Sequence, residues 1–171
     1  MNIKDLENTL YNNSWENYKD ILFDSNIEKM LKNYVHNLLF EISSGTKNYN
    51  FVDVMIQDQL ILCKNDKFAI SVRYKEFSNS RIQRNSLMIY PNDVFLMAIG
   101  PGELKAEIYD LETPYEEVNY TNCLKFKKTK TIKHLNTLEI KAGKSAIQAN
   151  IKRSHLLLLE IASMPKYPLT W

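Results

Sequence analysis

Apolar residues recur every three or four positions through the first 45 residues and every second position afterwards, and that change of period divides the chain. In Asn2 to Asn13, Ile3, Leu6 and Leu10 share one face of a short helix. Polar Asn12-Asn13-Ser14 ends it, and Trp15, Tyr18, Ile21 and Leu22 then mark a second short helix with Ser14 as its cap. The longest stripe follows. Ser25 and Glu28 have the spacing of a capping box, and Ile27, Met30, Leu31, Tyr34, Val35, Leu38, Leu39 and Ile42 form an apolar face up to Gly45, a residue suited to a helix end. A stripe of that length needs a covering surface, and a sheet built from the rest of the chain is expected to supply it.

Beyond Gly45 the segments read as strands. Phe51 to Ile56, Leu60 to Cys63 and Phe68 to Tyr74 come first, the last two joined by a hairpin loop at Lys64-Asn65-Asp66-Lys67. In Phe68 to Tyr74, Phe68, Ile70, Val72 and Tyr74 share one face; Ala69, Ser71 and Arg73 share the other. Ser78 to Arg81 reads as an exposed loop. The stretch from Ser86 to Leu111 then reads as strand, turn, strand, turn and strand, a meander with turns at Pro91-Asn92-Asp93 and Gly100-Pro101-Gly102. Val94 to Ile99 is continuously apolar, as in a strand covered on both faces, whereas Leu104, Ala106 and Ile108 alternate with Glu103, Lys105 and Glu107. Leu124 to Lys133 alternates with Leu124 and Phe126 facing in and lysines facing out. Thr137 to Ile140, Ser145 to Ile151 and the apolar His155 to Ile161 complete the strands. The end, with Pro165 and Pro168, reads as extended chain.

The expected architecture is therefore α+β, with N-terminal helices packed on a mainly antiparallel β-sheet or flattened β-barrel. At 171 residues the chain fits a single domain, with a helical part over residues 1–45, a β-rich part over 50–161 and a tail over 162–171. With 44% hydrophobic and 25% charged residues the composition is that of an ordinary globular protein rather than a disordered one. The N-terminus lacks the basic and apolar regions of a signal peptide, and Cys63 and Cys123 are far apart in sequence, which points to reduced thiols, a cytoplasmic location and no paired-cysteine zinc site.

Charge changes the picture more than composition does. Residues 103 to 117 carry six acidic side chains, among them Glu112, Glu116 and Glu117, against Lys105 alone, whereas Lys125, Lys127, Lys128 and Lys130 open a run that is almost entirely basic. A binding surface made of Glu112, Tyr115, Glu116 and Glu117 together with Lys127, Lys128 and Lys130 could steer a charged protein partner. The lysines also suit a strand guarded against edge pairing, which is preferred to a nucleic-acid stripe because no arginine accompanies them.

Catalytic signatures are missing. The sequence has no glycine-rich phosphate loop, no HExxH and no GxSxG. His36 reads as a residue at the edge of a helical stripe. His134 and His155, with Glu139 or Glu160, could supply imidazole and carboxylate ligands to a metal, but the spacing does not favour it. Glu160 amid leucines is expected to face outward on its strand; if buried it would need a partner.

The short strands from Leu87 to Ile161, with their PND and GPG turns, the segment LNTLEIKAGKSAIQANI and a last apolar strand, resemble the double-stranded β-helix of cupin domains. The resemblance covers about half the chain and implies a barrel. Metal-binding cupins carry a histidine-x-histidine and a glutamate after a glycine-bearing turn, with a further histidine downstream. Here Gly100 and Gly102 are followed by Glu103 and Lys105, so no ligand is carried over. The leading expectation is a non-catalytic binding protein with no cofactor, recognising a protein partner or a small ligand. An immunity-type protein using the acidic loop is one form of it. The rival is a cupin-like enzyme with a metal on His134, His155 and a glutamate; lysine-mediated nucleic-acid binding comes third.

Overall fold

The computed structural model describes residues 2–24, 26–44, 55–56, 59–76, 87–99, 102–113, 124–152 and 155–167. The capping box at Ser25, the glycine at 45 and the thiol of Cys123 lie outside them, as do Phe51 to Val54. Three helices, α1 (Ile3–Tyr11), α2 (Tyr18–Asp24) and α3 (Ile27–Ser43), precede the strands, with a single 3-10 turn at Trp15–Asn17 leading into α2. The second predicted helix is therefore broken, and the Ser14 side chain makes no cap bond. A capping box opens α1. Asn2 Oδ1 accepts from the Asp5 N–H, and the Asn2 N–H donates to Asp5 Oδ2, each at 2.9 Å. Asn26, at φ 46°, turns the chain into α3, a conformation that asparagine tolerates.

The described strands are β1 (Met55–Ile56), β2 (Gln59–Lys64), β3 (Phe68–Glu76), β4 (Met88–Ile89), β5 (Val94–Ile99), β6 (Glu103–Leu111), β7 (Leu124–Ile132), β8 (Thr137–Ile140), β9 (Ser145–Lys152) and β10 (His155–Ser163). They form two antiparallel sheets ordered β1-β2-β3-β10-β5-β8 and β4-β9-β6-β7. The predicted meander is thus corrected. β4, β5 and β6 follow one another in sequence but alternate between sheets, and β5 pairs with β10 and β8 instead of with its neighbours. Counting from β3, the sheets read 1-8-3-6 and 2-7-4-5. This is the double Greek key of a jelly roll.

Alternation along each strand divides the apolar side chains into two clusters on either side of the six-stranded sheet. Its outer face carries Phe68, Ile70, Val72, Phe95, Met97, Ile99, Leu159 and Ile161, and these meet Ile3, Leu6, Leu10, Tyr18, Leu22, Ile27, Met30 and Leu31 of the helices. Of the stripe on α3, Ile27, Met30 and Leu31 are buried in this cluster and Tyr34 packs against it, whereas Val35 is 42% exposed and the side chains of Leu38, Leu39 and Ile42 lie outside the described residues. The inner face and the second sheet enclose Val94, Leu96, Ala98, Leu104, Ala106, Ile108, Ile132, Leu138, Ile140, Ile147, Leu156 and Leu158. Polar bonds dock the helices. Trp15 Nε1 donates to Glu139 at 2.8 Å, and Lys67 Nζ donates to the Tyr11 carbonyl at 3.0 Å while lying 3.9 Å from the centre of its ring.

A latch ties the end of β10 to the turn before β5. The buried Asp93 accepts from the Ala142 N–H at 2.8 Å and from Lys166 Nζ at 2.6 Å. Burial alone would raise its pKa, but these two bonds and the charges of Lys166 and Lys141 outweigh it and hold the carboxyl below its ordinary range. The Asp93 N–H donates to Ser163 Oγ, and the Lys166 N–H to the Pro91 carbonyl.

Candidate binding site

Register decides which polar groups enter the barrel. Leu156, Leu158, Glu160 and Ala162 alternate along β10, and the leucines of that set lie in the inner cluster, so Glu160 faces inward with them. Opposite, Ser71 pairs with Glu160 and Arg73 with Leu158; on β2, Gln59 pairs with Arg73. Three adjacent strands therefore aim polar side chains at one half of the interior. Arg73 Nη2 donates to Glu160 Oε1 at 3.1 Å, and Nε lies 2.8 Å from Oε2. That second contact is an ion pair at an angle that makes no hydrogen bond, so among the described residues the buried Nε–H is left without an acceptor. Gln59 Nε2 donates to Ser71 Oγ.

Tyr90, immediately after β4, closes this half of the barrel. It packs against the inner cluster, and burial, assisted by the negative charge of Glu160 and opposed by Arg73, pushes its phenol up to about 12. The phenol thus stays a hydrogen-bond donor throughout the physiological range. The half is not sealed. The Arg73 side chain is 29% exposed against 8% for Glu160, and Ala149, which by register faces inward opposite the fully buried Ala106, is exposed. A buried ion pair costs desolvation that its own attraction scarcely repays. Partly exposed at Arg73, it presents a guanidinium, a carboxylate and a phenol together.

Glu160 corrects the expectation of an outward-facing acid: it is 6% exposed and has its partner. Arg73 and Tyr90 were not singled out by the sequence, although Arg73 alternates with Ser71 on the strand face opposite Phe68, Ile70 and Val72. The other predicted residues do not join this site. Glu112 lies exposed just beyond β6, while Tyr115, Glu116 and Glu117 lie outside the described residues. Lys127 pairs with Asp110 at 3.1 Å on the surface. Lys128 and Lys130 oppose Ile108 and Ala106, so by register they stand on the inward face of an edge strand rather than outward as the alternation suggested. Phe126 corrects the pattern in the other direction: it is 54% exposed and meets Tyr109 edge-on at 5.6 Å, where a one-residue bulge after Ile108 shifts the register.

The metal reading fares poorly on geometry. His134, on the turn after β7, approaches Glu28 of α3 at 3.4 Å on the helix side of the six-stranded sheet, whereas Glu160 faces the barrel interior. His155 opens β10 in register with Glu76; its side chain lies outside the described residues.

The strand order 1-8-3-6 over 2-7-4-5 decides the architecture. The domain is cupin-like in fold. No family model matches the sequence, and no curated protein matches it. Among solved structures, the chain is similar to hydroquinone 1,2-dioxygenase PnpCD in complex with Cd2+ and 4-hydroxybenzonitrile, at 17% identity over 67% of this chain and 68% of that one, TM-score 0.48. It is also similar to an RmlC-like cupin family protein with a double-stranded β-helix fold from Methanocaldococcus jannaschii (15%, 66% and 87%, TM-score 0.41) and to the Schizosaccharomyces pombe Cnp3 cupin domain (14%, 68% and 68%, TM-score 0.43). A metal of the cupin kind does not fit this barrel. The inward positions of β6 are Leu104, Ala106 and Ile108, all buried and none able to ligate, and among the described residues no three His, Cys, Asp or Glu side chains converge.

Proposed function

We propose that this cupin-like domain is a non-catalytic binding protein whose barrel takes a small organic ligand at Arg73, Glu160 and Tyr90. The observation that carries the reading is a salt bridge on inward barrel positions whose guanidinium is partly exposed, with the Tyr90 phenol close to it. A ligand with a carbonyl or similar acceptor would take a hydrogen bond from the part of the guanidinium that reaches solvent, and a flat apolar body would lie against Leu158 and the Tyr90 ring. A charged acceptor is disfavoured, because Glu160 already neutralises Arg73. This favours a small ligand over the protein partner recognised through Glu112 to Glu117.

Benzamide tests the reading, with toluene as the control of similar shape and no acceptor. In amide spectra of the labelled protein, benzamide is expected to shift Ser71, Arg73 and Glu160 saturably, and toluene is expected to leave them in place. Equal responses to both, or none to either, would remove the support for a polar site.

A further inference from the structure

The seam where the two sheets meet at β7 and β8 holds a groove lined by other residues than the Arg73–Glu160 pair. α2 lies across it and leaves a groove of about 290 Å3 lined by Lys19 and Phe23 of the helix, Lys130 of β7, and His134, Leu135, Asn136 and Thr137 of the turn into β8. Lys19 and Phe23 are four residues apart and so share a helix face, with the ammonium 5.9 Å from the ring centre. Lys130 points inward by register, but β7 is an edge strand, so its stem runs across the seam and Nζ donates to the Thr137 carbonyl at 2.6 Å. An ammonium carries three N–H donors, and that bond takes one. Burial first, then the like charges of Lys128 and Lys19, hold the Lys130 pKa below that of an ordinary lysine.

Two ammonium groups and an imidazole line this groove, and no carboxylate is among its lining residues as far as they are described. Glu28 meets His134 at 3.4 Å from α3. The turn is held in one shape. Leu135 sits at φ 57°, a region that disfavours a branched side chain, and is fixed there by the bond from its N–H to the Ala98 carbonyl at 2.8 Å and by packing against the helices. Phe23, 46% exposed, gives the groove an apolar wall.

We propose that this groove binds a compact oxyanion borne on a flat apolar body, the oxyanion between Lys19 and Lys130 and the body on Phe23. Phosphate esters and carboxylates share that chemistry. The crowding of positive charge supplies the attraction, and the preset turn limits the ordering that binding requires.

Labelled protein titrated with phenyl phosphate and with inorganic phosphate, at an ionic strength fixed with sodium chloride, tests this. Saturable shifts at Leu135, Asn136 and Thr137 are expected, with phenyl phosphate the tighter. Loss of one charge-assisted bond weakens binding about tenfold, which is the effect expected of Lys19→Gln and of Lys130→Gln. Phe23→Ser should abolish the difference between the two probes. Should Lys130→Gln unfold the seam, Lys19→Gln, at an exposed helix position, still decides the matter. The absence of saturable shifts, equal binding by Lys19→Gln, or shifts at Ser71 and Glu160 in place of the turn would each overturn the proposal.

Discussion

The two halves of the barrel interior are built on the same strands but from opposite materials. Around β5, β6 and β8 it is filled by Val94, Leu96, Ala98, Leu104, Ala106, Ile108, Leu138 and Ile140, all nearly inaccessible. Around β2, β3 and the middle of β10 it holds Gln59, Ser71, Arg73 and Glu160, with Tyr90 against them. The first half is where metal-binding cupins place their histidine pair, and here it is packed hydrocarbon. A jelly roll gains its stability from a filled interior, so polar groups persist only in the part that can be left open. Apolar packing and polar side chains are thereby assigned to different strands.

Substitutions in each half should behave differently. Ile132→Ala in the apolar half should cost the most, about 4 kcal/mol by denaturant unfolding, because its site is fully enclosed and cannot collapse. Glu160→Gln should cost less, about 2 to 3 kcal/mol, since it strands a guanidinium that reaches solvent in part. A loss for Glu160→Gln larger than that for Ile132→Ala would erase the contrast. Asp93→Asn should cost about 1 to 2 kcal/mol at neutral pH. Because the folded state holds the Asp93 pKa below that of the unfolded chain, its contribution is present above the ordinary aspartate pKa and is lost as pH falls from about 4 through the folded value. Wild type and Asp93→Asn should therefore converge in stability on acidification, measured by unfolding at pH 7 and pH 3. Lys127→Ala, which breaks an exposed pair with Asp110, should change stability by less than about 0.5 kcal/mol.

The existence of the elements was legible in the sequence, and their pairing was not. Period-two spacing located β6 and β7, and continuous apolar runs located β5 and β10, to within a few residues, because alternation records which way a side chain faces and an unbroken run records a strand covered on both faces. It carries no information about which strand lies alongside. The segment 100–102 reads as a hairpin turn, yet β5 and β6 on either side of it belong to different sheets, so the meander dissolved into a double Greek key. The lysines of β7 misled for a related reason. On an edge strand a long side chain can start on the inward face and still carry its charge to water, so Lys128 and Lys130 satisfied both patterns. Glu160 was visible as an acid among leucines, but its partner Arg73 lies 87 residues earlier in the chain, and only the β3–β10 register brings them together.

The central claim is that the Arg73–Glu160 pair is kept for binding rather than for holding the barrel shut, and the denaturant midpoint of the double variant Arg73→Met, Glu160→Leu tests it most directly. The account predicts a midpoint equal to or above that of the wild type, because two apolar side chains replace two charges that cost desolvation to bury. A midpoint as low as that of Glu160→Gln alone would show that the ion pair itself supports the fold, and would contradict the account.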